Sequence, residues 1–130
     1  MYLYWSFREG NEKYKYMVFL CDEDLPIFFT INSEISNFIR MSQKLYRSQL
    51  EIYKKDYPEF LERDSYINCS KLHTNMTANQ IDSQIRRDEN CIKCDLLEQD
   101  RKRILKTISS SDLIEPFRKV QITQAINSTF

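Results

Sequence analysis

The sequence predicts an α+β protein, mainly β, whose first part is a strongly bent, partly open five-stranded antiparallel sheet and whose last part is helical. Three observations lead there. Short apolar runs with strand-like alternation recur through residue 73 and are separated by polar turns. The interval from Leu25 to His73 reads as strand, helix, strand, turn and strand. After His73 the texture changes to helical spacing with two Thr/Asp-x-x-Gln/Glu starts.

Met1–Phe7 sets Tyr2, Tyr4 and Ser6 against Leu3, Trp5 and Phe7, the period of a half-buried strand. Arg8–Glu12, holding the only glycine, Gly10, is a hairpin turn. Lys13–Cys21 returns as a second strand, with Met17–Leu20 apolar on both faces and therefore central. Pro26 precedes a third strand, Ile27–Ile31, in a place where a missing N–H is tolerated. Asn32 or Ser33 caps a short helix reaching about Arg40. Ser48–Tyr53 is a fourth strand with Leu50 and Ile52 inward, and Ser65–Cys69 a fifth, after a turn at Asp56–Leu61.

Thr77–Gln80 matches a capping box, with Ile81 and Ile85 one turn apart. Cys91–Cys94 reads as a short link or strand edge, and Asp95–Glu98 as a second capping box. The helix that follows carries a stripe of Leu97, Ile104, Leu105 and Ile108. Pro116 suits the first position of a last helix through about Ile126. At 130 residues the chain is one domain, a barrel core over 1–73 and a helical part over 74–130.

Hydrophobic residues make up 42% and charged residues 29%, which is ordinary for a folded domain. With 19 basic and 19 acidic side chains there is no global field for nucleic acid, so any RNA contact must use a local patch. A single glycine excludes glycine-rich phosphate loops and dinucleotide-binding turns. No apolar run approaches a membrane span, and Met1–Phe7 lacks the basic stretch and cleavage site of an export signal. A cytoplasmic protein without membrane contact is expected, and its four cysteines are expected as thiols or ligands.

Three groupings bear on chemistry. The second strand opens Tyr14-Lys15-Tyr16, and the third ends Ile31-Asn32-Ser33-Glu34. Together with the Asp64–His73 strand and the helix after Asp95, these resemble the MazF/PemK-like toxin superfamily over roughly Met1 to Ile108. Lys15 and Tyr16 stand where that family has arginine and proline. The resemblance implies an SH3-like barrel and a toxin-type, metal-independent endoribonuclease acting on single-stranded RNA. It also implies a homodimer and an antitoxin partner, with no cofactor.

In that chemistry a ribose 2′-OH attacks its neighbouring phosphate, which needs a base, donors for the developing charge and an acid for the leaving oxygen. The resemblance assigns the catalytic positions to Lys15, Asn32 and Ser33, with Arg8 across the first hairpin loop supplying the guanidinium that Lys15 lacks. The plainer reading makes Lys15 a solvated strand residue and leaves Asn32 and Ser33 to cap a helix. The barrel is then a non-catalytic protein-binding module derived from the toxin fold.

The second grouping interleaves cations and rings: Lys44, Arg47, Tyr53, Lys54 and Lys55, with Tyr46 and Tyr57 among them. Such a run suits single-stranded RNA, charges on phosphates and rings on bases. Glu51, Asp56 and Glu59 dilute it, as they do on an ordinary mixed-charge surface. The third grouping, Cys69-x3-His73 with Cys91-x2-Cys94, has the residue types of a zinc site. It lacks the glycine that usually shapes a zinc knuckle, and Cys69 falls on a strand, so no metal site is expected. Finally, 8 Tyr, 8 Phe and 1 Trp are many rings for one small sheet to cover, which points the same way as the expected dimer.

Overall fold

The computed structural model describes residues 2–7, 14–19, 27–59, 61–74, 77–87 and 92–127, with 2–7, 14–15, 92–94 and part of 78–87 as backbone only. Six strands form one antiparallel sheet: β1 (Tyr2–Phe7), β2 (Tyr14–Phe19), β3 (Phe28–Asn32), β4 (Gln49–Ile52), β5 (Ser65–His73) and β6 (Ile92–Asp95). Their order is β4-β5-β3-β2-β1-β6. The helices are α1 (Asn37–Arg40), α2 (Gln43–Arg47), α3 (Ala78–Arg87), α4 (Glu98–Ser109) and α5 (Pro116–Asn127).

β3 sits between β5 and β2, and its run Phe28–Ile31 is buried on both faces, as a continuous apolar strand requires. β4 alternates instead: Leu50 and Ile52 turn inward while Gln49 and Glu51 remain half-exposed. One sheet face, carrying Val18, Phe29, Ile31, Ile52, Ile67 and Cys69, is covered by Ile104 and Ile108 of α4 and by Ile122 and Ile126 of α5. Burying such aliphatic side chains contributes about 1.5–3 kcal/mol each before entropy is counted.

Six strands replace the expected five. The Cys91–Cys94 stretch supplies β6, which pairs with β1, so the sheet draws on residues beyond 73. Among the described residues β4 and β6 form the two edges and no ladder joins them. The segments that follow these two strands are linked through Tyr57. Tyr57, just after β4, accepts a hydrogen bond from the backbone N–H of Leu97, just after β6, at 3.1 Å. Its own hydroxyl donates to Asp100 of α4 at 2.5 Å.

Three helix starts behave differently from one another. At α3 the Thr77–Gln80 box closes reciprocally: the Thr77 N–H donates to Gln80 Oε1 at 2.9 Å, and the Gln80 N–H to Thr77 Oγ1 at 3.1 Å. At α4 the expected Asp95–Glu98 box does not form. Asp95 is the last residue of β6, opposite Tyr2, and the N-cap is Leu97 without a side-chain bond. Near residue 33 the cap also moves, because Asn32 is held in β3 opposite Tyr66. Ser36 caps α1 instead, and Ser42 caps α2. Pro116 opens α5 as expected.

Candidate nucleic-acid interface

β pairing gathers polar residues into one transverse row. Ser6 pairs with Lys15 across β1 and β2. The β2–β3 register pairs Met17 with Thr30, and continued by two residues it sets position 15 beside Asn32. Asn32 pairs with Tyr66, and Tyr66 with Glu51. Directly opposed residues in an antiparallel sheet stand about 5 Å apart, so the row Ser6, Lys15, Asn32, Tyr66, Glu51 spans about 20 Å over five strands. By strand parity Asn32, Tyr66 and Glu51 lie on the face away from α4 and α5.

Tyr66 is the best-defined member. Its partial burial raises the phenol above the ordinary range, and the charge of Glu51 and the hydrogen bond to it act in the same direction, with Arg40 opposing. It is a proton donor at neutral pH, never a base. Tyr46 of α2 also acts on it, so the α1–α2 segment borders this end of the row.

Of the residues expected to act in catalysis, Lys15 and Asn32 thus come together. Ser33 follows in the exposed bend after β3. Arg8 lies outside the described residues; it follows Phe7, which pairs with Tyr14 at the same end of the sheet. Asn32 caps no helix, since its backbone belongs to β3.

The cation–ring run does not form one surface. Lys44 and Arg47 belong to α2, before β4, whereas Tyr53, Lys54 and Lys55 follow it. The four residues of β4 separate the two groups by about 13 Å. The Tyr53 ring already has the Lys55 ammonium at 5.4 Å and the Arg103 guanidinium at 6.0 Å. The Lys54 N–H donates to Asp64 Oδ1 at 2.8 Å. Lys44 and Arg47 instead line a cleft of about 310 Å³ with residues at the end of α4.

Cys69 and His73 have separate surroundings rather than a shared zinc site. The Cys69 thiol belongs to the buried core cluster, whereas the His73 ring is taken up by Phe28, and the β5 pairing shifts register between them. The Cys69 thiol is fully buried and pushed up to about 12 by that burial, Arg103 opposing. His73 stacks on Phe28, centroids 5.1 Å apart. Cys94 is on β6, four strand positions from β5, and Cys91 lies outside the described residues. Among the described residues no three His, Cys, Asp or Glu side chains gather as metal ligands.

The sequence reading missed Asp100, buried to 1% exposure, which accepts from Tyr57 and pairs with Arg103 at 2.9 Å. Its setting, Glu98-Gln-Asp-Arg-Lys-Arg, looks like a solvated first turn, and only the opposing Tyr57 shows otherwise. Tyr66 and Glu51 were missed as site members because their place in the row depends on pairing rather than on spacing along the chain. No family model matches the chain, and neither the curated proteins nor the solved structures with which it was compared include a match.

Proposed function

We propose that this chain is a metal-independent endoribonuclease of the toxin type, acting on single-stranded RNA at the row from Lys15 to Glu51. What supports the reading is the β2–β3 register, which pairs Met17 with Thr30 and, continued by two residues, brings position 15 opposite Asn32, with Ser33 next in the chain. In the reaction the ribose 2′-oxygen bonds to the adjacent phosphorus as its proton passes to Glu51, the one carboxylate in the row. The P–O5′ bond then breaks, leaving a 2′,3′-cyclic phosphate, and the departing 5′-oxygen takes the proton of the Tyr66 phenol, which recovers one from the protonated Glu51 carboxyl hydrogen-bonded to it. Lys15 offsets the charge of the phosphorane, while the Asn32 amide and the Ser33 hydroxyl donate hydrogen bonds to its oxygens. Arg8, which lies outside the described residues, is the candidate for a further guanidinium. In this reading the sheet is a partly open SH3-like barrel, the chain pairs as a homodimer, and an antitoxin protein is its natural inhibitor.

A second reading, a non-catalytic protein-binding module, is favoured by Phe38 and Met41, which are 77% and 88% exposed on the segment bordering the row. Cleavage of a labelled single-stranded RNA in the presence of a chelator separates the two. Lys15→Ala and Asn32→Ala are each expected to slow cleavage about 10²- to 10³-fold with the thermal midpoint nearly unchanged. Lys15→Arg, which provides a planar fork, is expected to retain or raise activity. If neither wild type nor Lys15→Arg cuts RNA, the nuclease reading is wrong.

A further inference from the structure

We propose that the cleft between α2 and the α4–α5 turn binds a ribose phosphate unit, either a free ribonucleotide or the phosphorylated end of an RNA chain. The site goes beyond the cleavage reading and uses none of the Lys15–Glu51 row.

The chemistry of the cleft is divided. Its floor mostly accepts hydrogen bonds. α2 and α4 both end here, and helix C-termini carry partial negative charge on their last carbonyls. Two of the hydroxyls at these ends have already spent their protons on carbonyls. Ser48 Oγ donates to the Lys44 carbonyl at 3.0 Å, and Ser110 Oγ to the Lys106 carbonyl at 3.3 Å. What they turn to a ligand is lone pairs. Asp112 adds a carboxylate, while Thr107, whose hydroxyl has no hydrogen bond among the described residues, and Ser111, whose Oγ accepts the Leu113 N–H at 3.1 Å, each keep a proton to give.

The rim is cationic. Arg47 has no ion-pair or hydrogen-bond partner among the described residues. Lys44 meets Asp112 at 3.7 Å, with both side chains largely exposed, a loose pairing that a stronger anion displaces easily.

A bare anion leaves the Asp112 carboxylate and the Ser48 and Ser110 lone pairs without a donor, and a bare cation is repelled by the rim. The fitting ligand carries several hydroxyl donors on its body and a phosphate at one end. A ribose phosphate has that layout: its hydroxyls donate to Asp112 and the serine oxygens, and its phosphate takes the Arg47 fork and the Lys44 ammonium. The volume of about 310 Å³ is at the small end for ligand sites, enough for one such unit.

Titration calorimetry on the full chain, with ribose 5-phosphate as the probe, tests the assignment. Inorganic phosphate and ribose serve as the separate halves. Ribose 5-phosphate is expected to bind at least about tenfold more tightly than either half, since both ends of the cleft then contribute. Arg47→Ala is expected to weaken it about tenfold or more, and Asp112→Asn by a smaller factor, at unchanged thermal midpoint. Lys15→Ala is expected to leave binding intact even where cleavage is lost or was never present. Two further arms name the source. Equal affinity for adenosine 5′-monophosphate and a 5′-phosphorylated RNA points to the free nucleotide, whereas a tenfold preference for the RNA points to the chain end. Inorganic phosphate binding as well as ribose 5-phosphate, no binding by any probe, or binding indifferent to Arg47→Ala would overturn the proposal.

Discussion

Replacing Tyr57 with phenylalanine removes one oxygen atom and, with it, the bridge from the segment after β4 to the start of α4. Tyr57 is 3% exposed. Its hydroxyl gives a proton to Asp100 Oδ2 at 2.5 Å and accepts the Leu97 N–H at 3.1 Å. A hydrogen bond to a charged group contributes about 1.5–3 kcal/mol and a neutral one about 1 kcal/mol. The phenylalanine also leaves the Leu97 N–H and one Asp100 oxygen without these partners in a site that is largely dry. Allowing for some relaxation and water entry, Tyr57→Phe should cost about 3 kcal/mol.

Asp100→Ala should cost a similar amount, about 3 kcal/mol. Breaking a fully buried pair costs about 3–5 kcal/mol, but Arg103 is 37% exposed, so water screens part of its loss. Because the two side chains act on one another, the double variant should cost about 1–2 kcal/mol less than the sum. Urea unfolding followed by circular dichroism measures all three, and the thermal midpoint of each single variant should fall by roughly 10 °C. Amide exchange should quicken first in β6 and at the start of α4, where the bridge attaches. A loss under about 1 kcal/mol for Tyr57→Phe, or strict additivity with Asp100→Ala, would refute the idea that this network holds the segment after β4 against α4.

Two other outcomes follow from particular residues. The Cys69 thiol titrates near 9.0 when free and near 12 in the fold, so its contribution to stability is complete below pH 9 and is lost as pH rises from about 9 towards 12. Tyr66 and Tyr16, also raised, act in the same direction at the alkaline end. Unfolding free energies measured from pH 7 to 11 should therefore decline more steeply for wild type than for Cys69→Ala, and equal slopes would exclude the thiol as the cause. At α3, Thr77→Ala should cost about 1 kcal/mol by opening the capping box. Asp95→Ala should show no capping loss at α4, a contrast that helix content and urea midpoints can check.

What the sequence by itself determined about this protein is local. The alternation at Leu50 and Ile52 marks β4, and the double-sided apolar run of Phe28–Ile31 marks a central strand. The Thr77–Gln80 pair and Pro116 mark two helix starts. Each of these is decided within a few residues, by side-chain period or by a backbone N–H and its neighbouring acceptor.

Tertiary structure alone decided everything that depends on which strand lies beside which. Asp95 has the spacing of a helix cap, yet pairing with β1 takes its backbone into β6. Asn32 is likewise drawn into β3. Cys69 and His73 have ligand spacing for a helix or a loop, but the core takes the thiol while the imidazole stacks on Phe28. Lys44 and Lys54 share one basic run until β4 separates them. Asp100 reads as a solvated charge until Tyr57, 43 residues away, meets it. The β2–β3 register, with Met17 opposite Thr30, is what aligns the opening of β2 with the end of β3. In each case the deciding energy comes from backbone ladders and burial between distant segments, which outweigh the preference of a single residue for its own neighbourhood.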